Sequence, residues 1–118
     1  MNEAALWSVT GLNEYVSAML ASDLRLRGLR VRGEIGGLKR HSSGHMYFTL
    51  KDDHALVRCV MFRQQAQKLG FAPRDGMLVI LTGAASLYTR DGAFQLYAQA
   101  LEPCGDGALY QRFLELKD

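Results

Sequence analysis

Residues 29–51 read LRVRGEIGGLKRHSSGHMYFTLK, and they alternate strictly at both ends. From Leu29 to Ile35, the residues Leu29, Val31, Gly33 and Ile35 point one way. Arg30, Arg32 and Glu34 point the other, which is the period of a half-buried strand. Gly36-Gly37 is expected to break that strand. His45 to Lys51 alternates again, with Met46, Phe48 and Leu50 on one face and His45, Tyr47, Thr49 and Lys51 on the other. Between the two runs, Lys39-Arg40 leads into His41-Ser42-Ser43-Gly44, read as a loop.

The neighbouring segments extend this pattern. Residues 10–21 place Leu12, Tyr15, Val16, Met19 and Leu20 at helical spacing, with Thr10 as the expected N-cap. Residues 55–62, ALVRCVMF, read as a third strand. With Arg58 facing water, Val57, Cys59 and Met61 turn inward, and Leu56, Val60 and Phe62 share Arg58's side. Residues 63–69 read as a short helix, ended by Gly70 and Pro73. Residues 77–88 form a fourth strand with a small-residue stretch, Gly83-Ala84-Ala85, where it can bend. Asp91-Gly92 signals a hairpin turn into a fifth strand, which Pro103 stops. Residues 107–118 read as a second amphipathic helix, with Leu109, Phe113 and Leu116 on one stripe, and the chain is expected to lead on into a further region.

Five strands with a helical connection between the third and fourth is the order of an OB-fold, a partly open, five-stranded Greek-key barrel. The expectation is one domain over residues 1–118, its barrel spanning about 28–102 and flanked by the two helices. The length suits a single core. Hydrophobic residues make up 48% and charged residues 22%, a globular composition and not a disordered one. No apolar run approaches the roughly 18 residues that span a bilayer. The N-terminus carries Glu3 before any Lys or Arg and lacks a long apolar core, which argues against a secretory signal. Cys59 and Cys104 form no CxxC and no zinc spacing, and a cytoplasmic, reduced setting is expected. Charge is uneven. Residues 21–74 hold eleven Lys and Arg against four Asp and Glu, whereas residues 75–118 hold three against six. That asymmetry suits a polyanion on one face.

Catalysis within these residues finds little support. His41 and His45 are four apart, a spacing that joins two ligands on a helix, but Ser42-Ser43-Gly44 argues against a helix there. Asp52-Asp53 reads as the start of a hairpin, and no GxSxG, P-loop or HExxH is present. No metal, cofactor or catalytic residue is expected. Nucleic acid fits better. The outward residues Arg30, Arg32, Tyr47, Thr49, Lys51, Arg58 and Phe62 would form one patch. Lys39, Arg40, His41 and Ser42 would flank it on one loop and Arg90 on another. Cations follow phosphates and aromatic faces stack on bases. Phe62 has a second reading, packed under the connecting helix, and Tyr88 either stacks or packs at a corner.

The segments SVTGLNEYVSAML, VRGEIGGLKRHSSGHMYFTLKDD, VRCVMFR and DGMLVILTGAASLYTRDGAFQLYAQALEP resemble the N-terminal OB domain of the exodeoxyribonuclease VII large subunit, from about Ser8 onward. Gly36-Gly37 stands where that family more often has a polar residue with Asn. The resemblance implies a parent enzyme, a DNA hydrolase that degrades single-stranded DNA from both ends. It implies an assembly of one large subunit with several small ones in the cytoplasm. It also implies that this domain binds single-stranded DNA, while catalysis and the small-subunit contacts lie further along the large subunit. These residues would then be non-catalytic. A protein-interaction or RNA-binding OB module remains the alternative.

Overall fold

The computed structural model describes residues 6–104; the expected helix at 107–118 lies outside them. Helix α1 (Val9–Ser22) and a single 3-10 turn (Leu24–Leu26) precede five strands: β1 (Leu29–Arg40), β2 (Met46–Lys51), β3 (Leu56–Met61), β4 (Leu78–Tyr88) and β5 (Ala93–Pro103). A one-turn helix, α2 (Arg63–Ala66), follows β3. The strands close into a barrel in the order β1-β2-β3-β5-β4. A parallel contact of β3 with β5, Arg58–Val60 against Gln95–Tyr97, makes the closure, so the barrel is closed where a partly open one was expected.

Strand β1 serves two neighbours. Its first half pairs with β4, from Leu29 opposite Gly83 to Glu34 opposite Leu78. Its second half pairs with β2, from Glu34 opposite Lys51 to Arg40 opposite Met46. Gly36-Gly37 does not end the strand, contrary to the sequence reading. The register shifts between Gly36 and Lys39, and Gly37 takes a φ of +57°, which a glycine adopts without steric cost. The irregularity bends the strand within its pairing to β2, past the handover at Glu34. It also makes Lys39 and Arg40 strand residues, not loop residues.

The inward residues follow the alternation. Ile35, Met46, Phe48, Leu50, Cys59, Met61, Val79, Leu81, Leu96 and Leu101 are all buried. Full burial of one such aliphatic or aromatic side chain stabilises by roughly 1.5–3 kcal/mol. Ala66, Leu69, Phe71 and Met77 pack against this core from the α2 side. The segment leading into β4 is strapped to β1: Ile35 N–H donates to Met77 O at 2.9 Å, and Leu38 N–H donates to Asp75 Oδ1 at 2.8 Å.

Helix α1 packs along β4. Its cap is Ser8, not Thr10: the Ser8 Oγ accepts from Gly11 N–H at 2.8 Å. The packed face matches the expected one only at Val16 and Leu20. Asn13, Val16, Ser17 and Leu20 are half-buried, while Leu12, Tyr15 and Met19 stay exposed. Among the described residues no helix is long and apolar enough to cross a membrane.

Two measurable consequences follow from the core. In β4, the register shifts between Thr82 and Gly83, and a Cβ on Gly83 would overlap the Tyr97 carbonyl oxygen. Gly83→Ala is expected to cost about 2–3 kcal/mol in urea unfolding, since the obstacle is backbone. Burial pushes the Cys59 thiol up from 9.0 to about 12. Between those values the unfolded chain has lost the thiol proton and the folded chain keeps it. Stability therefore falls as pH rises above 9, by up to about 1.4 kcal/mol per pH unit. Urea titrations from pH 8 to 11 should show that slope, and Cys59→Ala should lack that part of it.

Candidate nucleic-acid interface

Three cross-strand rows define the outer face of β2, β3 and β5. Tyr47 lies opposite Val60, and Val60 opposite Tyr97. Thr49 lies opposite Arg58, and Arg58 opposite Gln95. Beyond the first row, His45 just before β2 meets Phe62 just after β3. Strands are about 4.8 Å apart, so the two tyrosines stand about 10 Å from each other across Val60. Val60 is only 5% exposed although it points outward, because aromatic side chains shade it on both sides.

The aromatic rings are in contact. His45 and Phe62 have centroids 5.3 Å apart, edge to face, and Phe62 and Tyr97 are 5.5 Å apart. Phe62 is 46% exposed and Tyr47 43%, so both present a face to solvent. His45 is fixed from below: its Nδ1 accepts from the Arg63 backbone N–H at 2.8 Å, at the first turn of α2. Thr49 Oγ1 donates to Gly36 O at 3.2 Å, tying the second row to β1.

These rows floor a groove of about 460 Å³. Lys39 flanks it on the β1 side, and Tyr88 and Asp91 on the side of the β4–β5 hairpin. Among the described residues the ion pairs are Arg25–Asp23 and Arg30–Glu102, and neither draws on Lys39 or Arg58. The groove thus offers two cations without a carboxylate partner beside four aromatic rings. Such a surface can hold a flexible polyanion with flat, apolar bases.

The expected residues separate into two groups. Lys39, Tyr47, Thr49, Arg58 and Phe62 line the groove together. Arg30 turns to Glu102, 2.8 Å away, on the β5 end. Arg32 and Lys51 share a second depression with Glu34, Asp52 and Asp53. Arg40 donates to the Pro73 carbonyl oxygen at 3.1 Å, toward the α2 side. His41 folds into its own turn, with Nδ1 2.9 Å from Ser43 Oγ, and Ser42 is exposed beside it. Arg90 is exposed on the hairpin and does not line the groove; its neighbour Asp91 does. Phe62 lies over β5 and not under the connecting helix. Val60 joins the groove residues on Arg58's side, as the alternation of β3 implies, while Tyr97 and Gln95 come from β5 and stand outside the expected set. The signal was present in the alternation of residues 93–101, but it needed the β3–β5 pairing to give it a place.

A family description, the OB-fold nucleic acid binding domain, matches residues 7–102. The chain belongs to this OB-fold family. The OB domain is also 46% identical over 113 residues to the exodeoxyribonuclease 7 large subunit of Ruminiclostridium cellulolyticum, covering 96% of this chain and 28% of that protein. The namesake from Listeria innocua is 42% identical over 117 residues, covering 99% and 26%. The chain therefore spans little more than a quarter of the curated relatives' length. In shape, the OB domain matches a chain of a replication protein A heterotrimer solved bound to single-stranded DNA. The TM-score is 0.56 over 76% of this chain and 67% of that one, at 10% identity. The second OB-fold domain of replication protein A from Methanococcus maripaludis gives 0.52 over 70% and 88%, at 12% identity. At such identities the likeness concerns the fold.

No group of three or more His, Cys, Asp and Glu side chains is arranged to hold a metal among the described residues. Asp52 works as a turn residue: its carboxylate accepts from the backbone N–H of His54 at 2.9 Å and of Ala55 at 3.0 Å. Those bonds hold it below its usual range. His45→Ala should remove both the Arg63 acceptor and the edge contact to Phe62. The expected loss is about 1–2 kcal/mol in urea unfolding, with the Phe62 ring resonances shifted in the NMR spectrum.

Proposed function

We propose that this OB domain holds single-stranded DNA in the groove over β2, β3 and β5. In this proposal it is the substrate-binding module of an exodeoxyribonuclease 7 large subunit. The observation that carries the reading is the pairing of two cations, Lys39 and Arg58, that have no carboxylate partner among the described residues, with the Tyr47, Phe62, Tyr97 and Tyr88 rings in one groove. Bases would stack on the rings while the backbone follows the cations. The identity to large subunits over nearly the whole chain supports the choice of parent. In that parent the domain would be N-terminal and non-catalytic, presenting strands to a nuclease centre elsewhere in the subunit. The full enzyme, a large subunit with several small ones, would act in the cytoplasm and degrade single-stranded DNA from both ends.

Fluorescence anisotropy with a labelled oligo-dT tests this. Tyr47→Ala and Phe62→Ala should each weaken binding by about 1–3 kcal/mol, roughly 5- to 150-fold. Arg58→Ala should lower the salt slope by about one unit, because one phosphate contact is lost. Arg32→Ala should do less, since Arg32 lies outside the groove. Affinity that ignores salt, or that survives the aromatic substitutions unchanged, would sink the proposal. Equal affinity for RNA of the same sequence would replace it with an RNA-binding reading.

A further inference from the structure

Asn13 sits where α1 meets the β4–β5 hairpin. Its Nδ2 donates to the Thr89 carbonyl oxygen at 3.0 Å, across 76 positions of sequence. The amide also lies over Gly92, near enough that a Cβ there would touch it at 3.4 Å. The hairpin is shaped from within by two further bonds. Gly92 N–H donates to Tyr88 O at 2.7 Å, and Ala93 N–H donates to Asp91 Oδ1 at 2.9 Å. Those bonds set the form of the turn but not its lie against the rest of the molecule. Among the described residues, the Asn13 bond is the side-chain hydrogen bond that ties the hairpin to another element.

Asn is a poorer helix former than Ala or Leu, so its place within α1 carries a local cost. The apolar stripe of α1 offers an alternative face, Leu12, Tyr15 and Met19, and the helix leaves that face exposed. It is seated instead with Asn13, Val16, Ser17 and Leu20 half-buried. This seating delivers the Asn13 amide to the Thr89 carbonyl. The same hairpin carries Tyr88 and Asp91 into the groove wall.

We infer that Asn13 is a positioning residue for the groove: its amide fixes the β4–β5 hairpin so that Tyr88 faces the path of the bound strand. Asn13 itself touches no ligand. It acts through the hairpin, and α1 thereby becomes part of the binding device as well as a cover for β4. This inference rests on the single-stranded-DNA reading of the groove.

The test is a double-mutant cycle on the 118-residue chain, with Asn13→Ala, Tyr88→Ala and the pair, read by anisotropy with labelled oligo-dT. Asn13→Ala should weaken binding about three- to ten-fold, the scale of one hydrogen bond. Its salt slope should stay unchanged, since no phosphate contact is lost. In the Tyr88→Ala background the same substitution should have little further effect, because both act through one side chain. Without ligand, amide exchange at Gly92 and Ala93 should speed up in Asn13→Ala while the β1–β2 amides keep their rates. Additive effects in the cycle, or unchanged exchange at the hairpin, would overturn the positioning role. Normal binding by the parent chain with an unaltered Asn13→Ala affinity would overturn it alone. Failure of the parent chain to bind would remove the groove's function and the inference with it.

Discussion

The barrel depends on one strand being shared. β1 pairs with β4 along its first half and with β2 along its second, and Glu34 stands at the exchange, opposite both Leu78 and Lys51. Closing so few strands into a barrel calls for strongly curved strands, and a bulge bends the strand that carries it. The irregularity at Gly36–Lys39 supplies the bend. β4 is bent in its turn by the shift at Gly83, where the Tyr97 carbonyl fills the space a side chain would need. With both bends in place, β3 reaches β5 and the sheet has no free edge.

Curvature also decides which outward residues meet. Alternation correctly set Tyr47, Thr49 and Lys51 on one face of β2. It could not show that the face turns as the barrel closes. Lys51 ends up beside Asp52 and Asp53, while Tyr47 and Thr49 look into the groove. Arg30 and Arg32 share a side of β1 with Glu34, yet they belong to the half that follows β4. Period-2 reasoning treats a strand as flat, and in a small barrel the outward direction rotates along it.

The strands and their order were legible because each is a local pattern of apolar residues. Cys59 and Met61 inward, Arg58 outward and the weak point at Gly83 could all be read from neighbours in the chain. The groove's second wall could not. Tyr97 joins Tyr47 through Val60 by a parallel pairing between strands more than thirty residues apart, and no local signal encodes it. Helix α1 shows the same limit. Of its most apolar stripe, Val16 and Leu20 turn toward the barrel and Leu12, Tyr15 and Met19 do not, and Asn13 on the packed side bonds to the hairpin.

The β3–β5 contact is only three residues long on each strand, and it is the seam at which the barrel shuts. The groove lies directly across it, with Tyr47 on one side and Tyr97 on the other. A strand stacked on both rings would therefore bridge the seam from outside, like a stitch over a closed edge. Occupancy and closure become linked quantities. A ligand that favours the shut barrel would lower the population of the open one, and a barrel strained open would bind less tightly, by the same free energy. Through that link the shortest pairing in the sheet would report on whether the domain holds its ligand.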